Sequence, residues 1–200
     1  MLGTSDERAY TNVKLLSITK EAKVAHKLQD GSKVLYSFVS GNLIGIKKRD
    51  TTINDAPMSF LDFTFRDKDE TYVLSLSVSG SVARGIILSL ASLNDIKGKF
   101  IKISPWLKDG KYVNTKVECN GQRLDWCVEP SAIPAAPKIR VGSQEVVDDT
   151  ERTAFTLKYV EAINIRLGLT PEGEIIDEDM PADEDMPAGD YPDDFSNGEF

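Results

Sequence analysis

Histidine occurs once in this chain of 200 residues, and cysteine and tryptophan occur twice each. A lone His26, set among lysines, cannot build a relay of histidines and reads as a surface residue. Cys119 and Cys127 are too few for a disulfide framework or a four-ligand zinc site, so both read as small buried or half-buried thiols of a reducing cytoplasm. Apolar runs are short: none approaches ~18 residues, which excludes a membrane-spanning helix. Residues 1–10 lack the basic-then-apolar layout of a secretory signal, so a cytoplasmic location is expected.

Catalytic signatures are missing too. No glycine-rich phosphate loop ends in Gly-Lys-Ser/Thr, and there is no Gly-x-Ser-x-Gly elbow. The acids Asp50, Asp55, Asp62, Asp67, Asp69 and Glu70 are scattered, whereas a two-metal nuclease needs converging carboxylates. Asp62 is the one hint of such a site. No catalytic residue, metal or cofactor is therefore expected, and the protein reads as a non-enzyme.

Basic residues vanish from the C-terminal end. Residues 170–200 hold 12 of the 32 acids and no Lys or Arg, which leaves 20 acids against 24 bases before them, a net of +4. A mildly basic body thus carries a strongly acidic tail. The first suggests a polyanion partner, the second a tethered competitor or a docking peptide. The tail repeats Asp-Glu-Asp-Met-Pro-Ala at 177–182 and 183–188 and contains four prolines. Self-repulsion and scarce apolar residues predict disorder. Tyr191, Phe195 and Phe200 stand out at its end, because a tail that only solubilises needs no aromatic rings.

What is present upstream supports a folded β domain, with 40% hydrophobic residues available for a core. Alternation predicts strands over 59–66, 71–79, 99–107, 111–119 and 122–128, after a long run over 33–49 broken by Gly41 and Gly45. Internal glycines there predict a bulge or bend. Asp109-Gly110 and Asn120-Gly121 predict tight hairpins. Residues 13–19 and 23–28 read as short extra strands. Between 79 and 94 the period changes to helical, with Gly85 inside predicting a close packing contact. Pro130, Pro134 and Pro137 mark a linker, and a helix follows over 149–167, its apolar stripe packed on its own domain and Gly168 its C-cap.

This order matches an OB-fold: a five-stranded Greek-key barrel with a helix between its third and fourth strands. The expected organisation is an OB-fold domain over 10–129, a Pro-rich linker over 130–147, an amphipathic helix over 148–168 and a disordered acidic tail over 169–200.

Parity then selects a candidate surface. Single-stranded nucleic acid needs cations for phosphates and flat rings for bases along one groove. Phe60, Arg66, Phe100, Lys102, Trp106, Tyr112, Asn114 and Lys116 fall on outward positions. Lys47, Lys48 and Arg49 end the first strand, where the loop to the second strand begins, and Lys108 and Lys111 flank the Asp109-Gly110 turn. Each has a plain alternative. Phe60 can cap the barrel end, Phe100 can pack under the last helix, Trp106 can be half-buried, and the basic triplet can be merely solvated. Trp126, in phase with Leu124 and Val128, reads as core.

Several stretches resemble phage-type single-stranded DNA-binding proteins of the OB-fold group: Gly41-Asn-Leu-Ile-Gly-Ile-Lys-Lys-Arg-Asp50, Tyr72-Val-Leu-Ser-Leu76, Lys99-Phe-Ile-Lys-Ile103, Asp109-Gly-Lys-Tyr112 and Asn120-Gly-Gln-Arg-Leu-Asp-Trp126. The resemblance covers 33–128. The tail is similar to those of bacterial and phage members, which end in acids followed by an aromatic. It departs from the bacterial type by ending in Ser-Asn-Gly-Glu-Phe200 rather than proline-phenylalanine. The resemblance implies a protein that coats and protects single-stranded DNA during phage replication, recombination or repair in the infected host's cytoplasm. It implies a tail that recruits a polymerase, primase or helicase. Self-association into a homo-oligomer is allowed, and no membrane partner is expected. The alternative is an OB-fold adaptor that binds proteins without nucleic acid.

Overall fold

The computed structural model describes residues 10–18, 21–28 and 30–175. Among them are eleven strands and two helices: β1 (Thr11–Ile18), β2 (Glu21–Lys27), β3 (Lys33–Tyr36), β4 (Val39–Ile53), β5 (Ala56–Asp67), β6 (Glu70–Ser77), α1 (Ser81–Ala91), β7 (Phe100–Lys108), β8 (Tyr112–Cys119), β9 (Gln122–Arg123), β10 (Lys138–Val141), β11 (Gln144–Val147) and α2 (Thr150–Leu167). The protein is mainly β with a C-terminal helix, as the alternating runs imply.

Nine strands form one sheet in the order β3-β2-β1-β6-β5-β4-β7-β8-β9. All neighbours are antiparallel except β1, which runs parallel to β6. The sheet coils until β2 approaches β7 and β1 approaches β8. No ladder joins those pairs among the described residues, so the sheet stays open. The expected run over 33–49 divides into β3 and β4, those over 59–66, 71–79, 99–107 and 111–119 correspond to β5–β8, and that over 122–128 shrinks to β9. The short strands expected at 13–19 and 23–28 form β1 and β2, which with β3 extend the sheet beyond β6.

β4 carries an irregularity where the sheet curls. Its register shifts between Leu43 and Gly45, the bulge that the internal glycines predicted. Gly41 has φ of 154°, and a Cβ there would lie 2.8 Å from the Arg66 carbonyl oxygen. Only glycine lets β5 approach that closely. Alternation sends Leu43, Ile46, Leu61, Phe63, Phe65, Leu74, Ile101, Ile103 and Val117 inward, where they meet Ala83, Ile86, Ile87 and Leu90 of α1. The expected Asp109-Gly110 and Asn120-Gly121 turns form, all four residues with positive φ.

After β9 the chain turns back along α1, and the Cys127 amide donates to the Leu88 carbonyl at 3.0 Å. Trp126 therefore lies over α1, its indole 3.6 Å from where a Gly85 Cβ would be. The contact expected of Gly85 exists, but Trp126 is not core: 44% of it is exposed, because β9 ends at Arg123 and the strand phase of Leu124 and Val128 no longer applies.

Residues 130–147 carry more structure than a linker. A single 3-10 turn at Pro130–Ala132 precedes a β10–β11 hairpin, closed by the Asp148 amide on the Pro137 carbonyl. Helix α2 packs on the body, with Val160, Ile163 and Leu167 in the shared core. Gly168 ends it at φ 82°. Arg166 Nη1 donates to the Ala91 and Leu93 carbonyls at 2.9 and 2.8 Å, satisfying acceptors at the end of α1.

β7 accompanies β4 only as far as Asn42, which leaves the next stretch of β4 without a strand neighbour on that side. Asn164 takes the place. Fully buried in α2, its Oδ1 accepts from the Ile46 amide at 3.0 Å and its Nδ2 donates to the Ile46 carbonyl at 2.9 Å. Nδ2 also donates to the Pro171 carbonyl. This draws residues 169–175 against β4, and Gly173 passes so close that a Cβ would lie 2.7 Å from the Ile46 carbonyl oxygen. Those seven positions, assigned by composition to the tail, instead belong to the folded body. Residues 176–200 lie outside the described residues, and with them Tyr191, Phe195 and Phe200.

Asn164→Leu keeps the volume but strands the Ile46 amide and carbonyl. Each buried unsatisfied group costs about 1–3 kcal/mol. Tm should drop by roughly 5–15 °C, at ~2–4 °C per kcal/mol for a chain of this size. A melt within 1–2 °C of the parent would show that the amide is dispensable.

Candidate nucleic-acid interface

β7 and β8 send Ile101, Ile103 and Val117 into the core and Phe100, Lys102, Trp106, Lys108, Tyr112 and Lys116 to the solvent side. Their register sets Lys102 opposite Glu118, Ser104 opposite Lys116, Trp106 opposite Asn114 and Lys108 opposite Tyr112. On the other flank Asn42 of β4 lies between Phe100 of β7 and Arg66 of β5. One surface thus collects seven of the outward residues that parity selected. Nine residues of β7 give it a length of about 27–30 Å.

The rings on this surface are open. Phe100 is 42% exposed, Trp106 46% and Tyr112 68%. Phe100 is therefore not buried under α2, while Trp106 is half-buried at the strand end with much of its ring open to solvent. Phe38, just before β4, joins them with 45% exposure and the Lys102 ammonium 4.6 Å above its ring centroid. Sequence parity missed Phe38 because 33–49 reads as one continuous strand. The structure interrupts it at Ser37 and Phe38, and outward residues before Val39 become visible only once the β4–β7 register is known.

The cations differ in their surroundings. Lys116 Nζ lies 2.7 Å from Glu118 Oε1, and Lys102 Nζ 3.8 Å from Oε2. The Lys116 hydrogen bond is the main reason the Glu118 carboxyl is held below the usual carboxylate range. Arg66, Lys108 and Lys111 have no carboxylate within ion-pair distance among the described residues.

The basic triplet is placed elsewhere. β4 does not end at Arg49. It runs to Ile53, turns through Asn54 and Asp55, both at positive φ, and returns as β5. Two consecutive residues of that kind make a two-residue hairpin, so an arm replaces the expected loop. Lys47 and Arg49 share its outer face with Asp62 and Phe60, while Lys48 falls in phase with Leu61. Each cation is occupied: Lys47 by Glu174 at 3.3 Å, Lys48 by Asp50 at 3.0 Å, and Arg49 by both oxygens of Asp62 at 2.6 and 3.2 Å. Arg49 also lies 5.2 Å from the Phe60 centroid. Asp62 thus serves as a counter-ion. Lys47, Lys48, Arg49 and Phe60 follow the β4 bulge, whereas β7 meets β4 before it.

Other titratable groups have structural surroundings. His26 Nδ1–H donates to the Asn12 carbonyl at 3.0 Å. Cys119 is buried, Cys127 exposed, and both are free thiols. Among the described residues no group of three His, Cys, Asp or Glu converges as a metal site, and no helix is long and apolar enough to cross a membrane. Comparison with protein-family models, curated proteins and solved structures returns no match.

The carboxyls of Asp50, held low by the Ser59 hydroxyl and then Lys48, and of Glu118 are both depressed in the folded state. Their contribution is present above the ordinary carboxylate value of about 4 and is lost as pH falls through the lower folded values. Melting temperature should therefore decline below about pH 4, and Glu118→Gln should flatten that decline. An unchanged acid profile in the variant would remove Glu118 from the account.

Proposed function

We propose that this protein binds single-stranded DNA, tolerates any sequence, and protects exposed strands during phage-type DNA replication, recombination or repair. One observation carries the reading: Phe100, Trp106 and Tyr112 stand among Arg66, Lys102, Lys108 and Lys116 on a single solvent-facing surface. Rings supply platforms for bases of any identity, and cations follow the phosphates. Arg66, Lys108 and Lys111, which have no carboxylate partner among the described residues, are the readiest phosphate ligands. The paired Lys47, Lys48 and Arg49 require partner exchange.

The finer fold reading supports the same function. β4, β5 and β6, then α1, then β7 and β8 reproduce the OB-fold element order, with the long bent strand first. We read β1–β3 as an addition to that barrel plan. The acidic tail serves in two ways in this proposal. It competes with DNA for the basic surface, and it docks a polymerase, primase or helicase through Tyr191, Phe195 and Phe200. A tethered tail acts at an effective concentration near millimolar, so weak attraction suffices.

Oligo(dT) should bind far better than duplex. Log affinity should fall against log salt with a slope near −0.7Z, where Z of about 3–6 suits these cations. Trp106→Ala and Tyr112→Ala should each lose about 1–3 kcal/mol of binding with Tm held, since both rings are exposed. Equal affinity for duplex and single strand would favour the protein-adaptor alternative or a nonspecific polycation.

Removal of 176–200, with the Asn164-bound segment left intact, should tighten oligo(dT) binding most at ~50 mM salt, where screening is weak. It should also abolish capture of the replication partner. The same affinity with and without these residues would refute the inhibitory role, and capture by the truncated protein would refute the docking role.

A further inference from the structure

A carboxylate in the middle of a surface for polyanions works against affinity, and Glu118 is such a group. Its side chain is 13% exposed, against 39% for Lys102 and 45% for Lys116, so it lies beneath the two ammonium groups it holds. What Glu118 does is fix position: Lys102 rests between the Glu118 carboxylate at 3.8 Å and the Phe38 ring at 4.6 Å. In the free protein the ammonium occupies a ring face that a base would need.

From this geometry we infer that Phe38 is a base-stacking position closed by Lys102, and that Glu118 is the latch that keeps it closed. The inference rests on the single-stranded DNA reading of this surface. Opening requires two replacements at once. A phosphate takes the Lys102 ammonium from Glu118, and a base takes its place over Phe38. A cation–π contact at an exposed ring is weaker than a base–aromatic stack, so the exchange favours the base. A bare polyanion offers the first replacement without the second, and it meets the Glu118 charge uncompensated. The ligand class selected is a phosphodiester chain carrying unpaired bases, in preference to other polyanions.

The test uses the full chain, oligo(dT), and an abasic oligomer of the same length. Wild type should prefer oligo(dT). Phe38→Leu should lose about 5- to 150-fold in oligo(dT) affinity, the range of one base–aromatic stack. It should leave abasic binding unchanged. Phe38→Tyr should retain the oligo(dT) affinity, and the melting temperatures of both variants should match the parent because the ring is 45% exposed. Glu118→Gln should tighten the abasic oligomer several-fold and narrow the preference for oligo(dT). Wild-type binding to oligo(dT) with no base-dependent loss in Phe38→Leu, or with no gain for the abasic oligomer in Glu118→Gln, overturns the latch and leaves the surface assignment standing. Failure of wild type to bind oligo(dT) overturns both.

Discussion

The Asn164 side chain holds the architecture at its weakest point. A strand that loses its neighbour in mid-course exposes amides and carbonyls that must find partners. β4 loses β7 after Asn42, and the buried Asn164 amide supplies a donor and an acceptor to Ile46. Beside the packing of Val160, Ile163 and Leu167, this residue ties α2 to β4, closes the open flank of β4 and anchors 169–175. That flank is closed by helix and turn rather than by another strand, while β7 and β8 continue the sheet from β4's first half. Among the described residues Phe100, Trp106 and Tyr112 on their outer face are exposed, and the candidate surface lies there.

Charge is arranged in the same economical way. The body is basic, yet five of its eight candidate phosphate ligands (Lys47, Lys48, Arg49, Lys102 and Lys116) are held by nearby acids. Asp62 holds Arg49, Glu118 holds Lys102 and Lys116, and Glu174 holds Lys47. Such pairs restrain long side chains and lower nonspecific attraction to polyanions. Arg66, Lys108 and Lys111 are left to make first contact. In this account binding is an exchange of partners, in which phosphates displace carboxylates and bases displace an ammonium from a ring.

Much of the fold was legible because its signals are local. Asp109-Gly110 and Asn120-Gly121 mark turns through the φ they tolerate, and the period of 81–91 and 150–167 declares helices. Outward parity on β7 and β8 placed Lys102, Trp106, Tyr112 and Lys116 correctly on one face. Hidden features depend on contacts distant in sequence. Nothing near Asn164 announces Ile46. The β4–β5 arm looked like a loop because Asn54-Asp55 lacks the glycine of the usual hairpin turn. Trp126 followed a strand phase that ends at Arg123. Glu118 and Phe38 acquired meaning only through register, which sets one opposite Lys102 and the other beneath it.

The central claim is that bases stack on the β7–β8 surface, and Trp106 can report it directly. With Trp126→Phe, Trp106 is the sole tryptophan of the chain. Titration with oligo(dT) should quench its fluorescence saturably, salt should reverse the effect, and duplex of equal length should produce little change. Full oligo(dT) binding, measured independently by anisotropy, with Trp106 emission unaltered would contradict the account by placing the DNA elsewhere.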